Sequence, residues 1–292
     1  MAQPSSWRDP PEYSEPESRG GMPRMTRAVR MLLLANVAVF AVSFLTWFFG
    51  KMTGTGAWAI VAEHLVLQPD DWRHFFFGLP VWQLVTSGFL HDVETPMHIL
   101  MNMLVLYFFG TMLESLVGTL RFTLTYFAAM FTGALLFLGV GIVAGAVTGH
   151  PQTPALGASG ACLGILVAMA MLRPHAPIVF IVVPMTLRTL ALIFVGFDIF
   201  GLLVEIATKA SDGTAHVIHL GGALYGFVAV KSGLIWRDPV EAVERRRAVK
   251  EVERAASDEQ RMDEILAKIH REGMSALTKG EREFLKRVSA RR

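Results

Sequence analysis

Residues 31–50 and 122–149 contain no charged side chain. Each run is longer than the roughly 18 residues that mark a membrane-spanning helix, the form in which a chain satisfies its own backbone polar groups inside lipid. Any fold open to this chain must therefore place both segments in a bilayer. Composition agrees, with 52% hydrophobic and only 18% charged residues, well below the charge of a typical soluble domain. The chain reads as a multi-pass membrane protein. Basic residues precede the first run, but the run is too long for a signal-peptide core and has no convincing small-x-small cleavage site, so a retained first span is expected. Asp9, Glu12, Glu15 and Glu17 ahead of it argue against an organelle transit peptide. The single cysteine, Cys162, permits no internal disulfide and suggests no cysteine-based metal site.

Apolar runs predict six helices, at about 29–49, 97–117, 121–147, 157–173, 185–206 and 215–236. The stretch PIVFIVVP (177–184) is apolar but bracketed by Pro177 and Pro184, and reads as an extended or re-entrant approach to the fifth span. Lys and Arg set the orientation. Arg8, Arg19, Arg24, Arg27 and Arg30 precede the first span, Arg121 lies between spans two and three, Arg173 between four and five, and the tail is rich in basic residues. On the other side, 51–96 carries only Lys51 and Arg73, 147–156 neither, and 207–214 only Lys209. Both termini are thus expected in the cytoplasm, with spans two, four and six running from outside to inside. The 51–96 loop, holding Trp58, Trp72, Phe75, Phe76, Phe77 and Trp82, reads as an interfacial segment half-sunk in lipid. Three regions follow: a disordered cytosolic N-terminus (1–28), the helical membrane domain (29–236) and a cytosolic helical tail (237–292). The tail's 15 Lys/Arg and 12 Asp/Glu are a mixed, solvated run and no nucleic-acid surface. Its segment EQRMDEILAKIHREG ends at a C-cap, Gly273, and Thr278-x-x-Glu281 forms a capping box, so a small helical hairpin is expected.

The polar residues of the apolar segments converge in depth. Span two opens with His98 and Asn102 on one helix face, span four with Ser159, and span six with His216 and His219. All three clusters occupy the first turns of helices that enter from the outside. Polar residues inside a membrane are costly and turn towards the bundle interior or a water-filled cavity. A serine becomes a nucleophile when a base takes its proton, and histidine is the usual base. A tetrahedral oxyanion needs fixed donors, which the N–H groups at the start of span four, Asn102 and His98 can supply. Gly160-x-x-x-Gly164 and Gly222-x-x-x-Gly226 have the spacing that lets two helix backbones approach.

These motifs together resemble the rhomboid family of intramembrane serine proteases. HILMN (98–102) is similar to the family's His-x-x-x-Asn, GASG (157–160) to its Gly-x-Ser-Gly, and HLGGALYG (219–226) to its His-x-x-Gly-x-x-x-Gly. WQLVTSGFLH (82–91) resembles the family segment that leads to a loop histidine, and Glu114, Gly118 and Arg121 resemble another recurring element. The resemblance covers about residues 30–236, and the tail is similar to a short module found at the end of some bacterial rhomboids. It implies an all-α, six-helix bundle with a membrane-interface loop after the first helix. It implies a Ser159–His219 dyad without an acidic third member, and an oxyanion hole built from the Ser159 N–H, His98 and Asn102. Gly157, Gly160, Gly164, Gly222 and Gly226 would pack the helices around it. The implied substrates are transmembrane segments of other membrane proteins, cut near the outer face, with no metal or organic cofactor. A bacterial inner membrane is the expected location, and an unidentified cytosolic protein is the kind of partner the tail would contact.

Two positions depart from the family pattern. Ile218 stands where alanine usually precedes the histidine, and Leu163 where an aromatic commonly supports the histidine ring. Ala215-His216 supplies the alanine one turn earlier, but the glycine spacing favours His219 as the base and leaves His216 as a structural residue or a wall of the site. Taken singly, each feature has a plainer reading: GASGA as helix packing, His98–Asn102 as an interhelical bond, Trp82 as an interface anchor, Gln83 as a bond to loop backbone, Glu114 and Arg121 as a network at a turn. Asp198, inside the fifth apolar run, has no partner assignable from sequence. Competing functions are a catalytically inactive relative that binds membrane clients and a transporter, the latter disfavoured because no internal repeat is present. A zinc intramembrane protease is disfavoured because His-Glu-x-x-His is absent.

Overall fold

The computed structural model describes residues 24–73, 78–149, 153–180, 182–208 and 215–289. Most of the N-terminal stretch expected to be disordered lies outside them, as do Phe75, Phe76, Phe77 and Lys209. The chain divides into two compact units, one ending at Trp236 and one beginning at Arg237.

The first unit is mostly helical among its described residues: α1 (Arg27–Thr53), α2 (Ala57–Leu65), α3 (Gln83–Thr86), α4 (Pro96–Val105), α5 (Thr111–Val117), α6 (Thr119–Thr148), α7 (Ser159–Leu172), α8 (Leu187–Thr208) and α9 (His216–Lys231). A π turn over Leu106–Gly110 joins α4 to α5 as one continuous helix. A helix stands at or near each of the six expected positions. Four are long and apolar enough to cross a membrane: α1, α4–α5, α6 and α8. The other two are shorter, α7 with 14 residues and α9 with 16.

The ends of these helices have local causes. Pro96 starts α4 where a missing N–H costs nothing. Gly54 and Gly149 close α1 and α6 in the left-handed conformation, with φ of 67° and 69°. Helix α1 begins at Arg27, inside the segment expected to be disordered, because Glu114 reaches its first turn. The Glu114 carboxylate accepts from the Ala28 and Val29 N–H groups, each at 3.0 Å, and from the Thr119 hydroxyl at 2.7 Å. The network expected around this turn is thus a carboxylate cap on a helix N-terminus. The two ends of PIVFIVVP are extended, as its prolines indicate: β1 (Pro177–Phe180) and β2 (Val183–Thr186) pair antiparallel, Pro177 with Thr186 and Phe180 with Val183. Helix α8 therefore starts at Leu187, after β2.

Helix α7 is the centre of the bundle, with ten of its fourteen residues buried. It packs with Leu106, Leu113, Phe122, Tyr126, Leu187 and Leu190 from the helices around it. The outer faces of those helices are apolar and exposed, as at Leu34, Val143 and Phe197, which is the inside-out pattern of a bundle solvated by lipid. Between α7 and α9 the glycines let backbone meet backbone. A Cβ on Gly222 or Gly226 would run into the carbonyl oxygen of Gly160 or Gly164 respectively.

The second unit consists of α10 (Pro239–Glu272) and α11 (Lys279–Ser289), with Ile265, Leu277 and Phe284 as its core. Helix α10 begins at Pro239 and not near Glu259, because Asp238 caps it by accepting from the Val240 and Glu241 N–H groups at 2.9 and 3.2 Å. The Thr278–Glu281 capping box closes reciprocally. The Thr278 N–H donates to Glu281 at 2.7 Å, and the Glu281 N–H to the Thr278 hydroxyl at 3.3 Å.

Candidate functional site

Ser159 is the first residue of α7, and its approach is held from both sides. Gly157 takes φ of 119°, a conformation that L side chains rarely adopt. Its N–H donates to the Ser87 carbonyl at 2.8 Å, while Ala155 and Leu67 exchange two backbone bonds of 2.9 Å. The loop after α1 is therefore the brace that fixes the entry to α7. Gln83 locks that brace: fully buried, it donates to Asp71 at 2.8 Å and accepts from the Gln68 N–H and the Trp72 indole at 3.2 Å. The expected bond to loop backbone is present, joined by bonds to Asp71 and Trp72 that sequence reading did not assign. Trp82 is half exposed, and its indole donates to the His64 carbonyl at 2.9 Å.

Across the glycine contact, the His219 Nε2 lies 2.7 Å from the Ser159 Oγ. The two residues are close because Gly160, Gly164, Gly222 and Gly226 let α7 and α9 meet backbone to backbone. Ile218 fits without an alanine's small size because it lies over glycines: a Cβ on Gly133 or Gly160 would come within 2.5 Å of its carbonyl oxygen or 2.6 Å of its Cγ2. Leu163 is buried in the core.

On the other side of Ser159 stands α4. The His98 ring borders Gly157, where a Cβ would lie 2.7 Å from its Cε1 and 3.7 Å from the Ser159 Oγ. Asn102 is buried, and its Nδ2 lies 3.1 Å from the His91 Nε2. Burial above all, with the His98 ring beside it, holds the His91 imidazole down at about 4. The ring is then neutral at physiological pH. An amide nitrogen can only donate, so the His91 Nε2 accepts and its Nδ1–H points to the Phe89 carbonyl at 3.3 Å. His91 thereby fixes which way the Asn102 amide points. The Cys162 thiol donates to the Asn102 carbonyl at 3.4 Å, tying α4 to α7.

Sequence reading left Asp198 without a partner, and the structure gives it two. Its Oδ1 lies 2.7 Å from the His219 Nδ1 and 2.9 Å from the His216 Nδ1. The three donor atoms are within 4.8 Å of one another, a spacing that a divalent cation can also bridge. The signal was an Asp in the middle of an apolar helix, where its neighbours show the cause: Phe197, Ile199 and Phe200 are exposed to the lipid side while Asp198 is buried.

A polytopic helical bundle with a serine and a histidine in hydrogen-bond contact at the start of two glycine-packed helices defines a class of membrane protein. Residues 78–234, more than half of the chain, match the family model described as Rhomboid domain. The chain belongs to the rhomboid family. Residues 251–291 match a second model, described as a family of unknown function (DUF6576). Among curated proteins, "Rhomboid protein 1, mitochondrial" of Saccharomyces cerevisiae is 31% identical over 205 residues, 68% of this chain and 51% of that protein. "Presenilin-associated rhomboid-like protein A, mitochondrial" of Danio rerio is 31% identical over 163 residues, covering 53% and 38%. "Rhomboid protease GluP" of Bacillus subtilis is 30% identical over 148 residues, covering 51% and 25%. The chain spans about half of these relatives' length or less, and mitochondrial and bacterial members both occur among them.

Proposed function

We propose that this chain is an intramembrane serine endopeptidase that cuts transmembrane segments of other membrane proteins. The observation that carries the reading is the 2.7 Å contact between the His219 Nε2 and the Ser159 Oγ. In the reaction, His219 takes the Ser159 proton as the oxygen attacks the scissile carbonyl, and returns it to the leaving amine as the peptide C–N bond breaks. A water, deprotonated by the same ring, then attacks the acyl carbon, and the ring returns that proton to the Ser159 Oγ as the ester C–O bond breaks. The oxyanion formed in each step is met by the Ser159 N–H at the start of α7, the His98 ring and the Asn102 amide. The name of the Bacillus subtilis relative, a rhomboid protease, supports the reading.

In this reading α1, α4–α5, α6, α7, α8 and α9 are six spans, and the short ones have a purpose. At about 1.5 Å per residue, the 14 residues of α7 cover ~21 Å of a hydrocarbon core about 30 Å thick. With its far end at the cytoplasmic surface, Ser159 lies below the outer surface. A substrate helix must unwind locally to present its backbone there. The distribution of Lys and Arg supports cytoplasmic termini.

The test is labelling of the purified chain and of Ser159→Ala with a fluorophosphonate, read by intact mass, together with cleavage of a model transmembrane substrate. An adduct and cleavage in the wild type alone are expected. Neither in the wild type would replace this reading with that of a client-binding relative.

A further inference from the structure

We infer that Asp198 is the positioning acid of the site, making Ser159–His219–Asp198 a triad where the family resemblance implied a dyad. The inference rests on the protease reading above, but its geometry is independent of it. The Asp198 Oδ1 stands 2.7 Å from the His219 Nδ1, on the side of the ring opposite the 2.7 Å contact to the Ser159 Oγ. With the carboxylate accepting, the Nδ1–H must be the protonated nitrogen, and the Nε2 lone pair faces the serine hydroxyl. That is the tautomer a general base requires, and Asp198 selects it. As the ring becomes an imidazolium, the carboxylate stands beside the new charge without taking the proton.

The site is built for this contact. Asp198 and Gly201 lie on one face of α8, and His216 and His219 on one face of α9. A Cβ on Gly201 would collide with the His216 ring, so the glycine admits that ring to the α8 surface and brings α9 close enough for both histidines to reach one oxygen. Asp198 is 7% exposed and His216 also 7%. A buried carboxylate needs its acceptor sites filled, and the two ring N–H groups fill one oxygen from two directions. His216 thus holds Asp198 in place while Asp198 orients His219.

The test uses the full chain in detergent micelles with 15N-labelled histidine, and His219→Gln to assign the ring. At a pH where the imidazoles are neutral, the wild-type His219 should show the Nδ1–H tautomer. In Asp198→Asn the amide can donate to Nδ1, and the population should move to the Nε2–H tautomer. An unchanged tautomer would overturn the inference whether or not the chain is a protease. On a model transmembrane substrate, Asp198→Asn should lower kcat at least tenfold with KM within twofold, and fluorophosphonate labelling should slow in parallel. Unchanged kcat alongside active wild type would overturn it as well. Wild type that neither cuts nor labels, with the tautomer shift present, would sink the protease reading and leave the Asp198–His219 pairing standing. If Asp198→Asn does not fold, Asp198→Glu serves: it keeps the charge but displaces the ring, and should lower kcat in the same direction by less.

Discussion

At the scale of single residues, the choice between two histidines in one turn of α9 decides how the serine would be activated. His219 faces the Ser159 Oγ, while His216 contacts Asp198. His219→Ala should therefore abolish cleavage of a model substrate, a loss of about 10²–10⁴ if it is the general base, and His216→Ala should cost less than roughly tenfold. The opposite order, measured on folded protein, would reverse the assignment. Asn102→Ala removes a donor to the oxyanion and should lower kcat by about 10²–10³ with a smaller effect on KM. A change confined to KM would remove the oxyanion role. These residues were legible because each cluster declares itself within one helix: His98 and Asn102 by spacing, Ser159 by its glycines, His219 by the glycines after it. Asp198 was not, since its partners lie on α9 and the mutual rotation of two helices leaves no periodic trace in either. The His91–Asn102 bond was missed because His91 lies in a loop, where no helical spacing relates it to Asn102.

At the scale of elements, what brings serine and histidine together is the set of glycines at which α7 and α9 meet backbone to backbone. A Cβ on Gly222 meets the Gly160 carbonyl, which is backbone and cannot swing aside. Gly222→Ala should push the helices apart, destabilise the unit by about 1–3 kcal/mol and lengthen the Ser159–His219 contact. Thermal unfolding in detergent would show a lower midpoint, and fluorophosphonate labelling a slower rate. Gly139, on α6, has open space around it, and Gly139→Ala is the control expected to leave both unchanged. The glycine spacing made this contact readable from sequence. The length of the helices was less so: an apolar run gives a span's position, but α7 ends at Leu172 before the Pro174 that breaks it, and the second of the paired strands runs up to Thr186. In the tail the reverse held, because the first half of α10 carries no apolar stripe, and Val243, Val249 and Val252 are all exposed. Its start was marked instead by Asp238-Pro239, a cap followed by a proline at the first helical position.

At the scale of the whole molecule, the chain holds two units with separate cores, and all the proposed site residues belong to the first. Deleting residues 240–292 should leave the cleavage rate in detergent within about twofold, since no group that touches the reaction is removed. Loss of activity in a folded truncation would make the tail part of the enzyme. The tail carries its own pH response. The Glu281 carboxyl is held down at about 2, first by the Thr278 N–H, then by the Lys268 ammonium and the Thr278 hydroxyl. In the unfolded chain it would titrate near 4.5. A carboxyl depressed on folding adds stability only while ionised, so its contribution is complete above about pH 4.5, fades as the pH falls, and is gone once the pH passes below about 2. Hydrogen exchange of residues 262–288 in the full chain, corrected for intrinsic rate, should show protection declining through that window. Glu281→Gln should begin with less protection at pH 6 and change less between pH 4.5 and 2. Identical profiles would show that the capping carboxylate does not hold α11 against α10, and that the small core of Ile265, Leu277 and Phe284 does so without it.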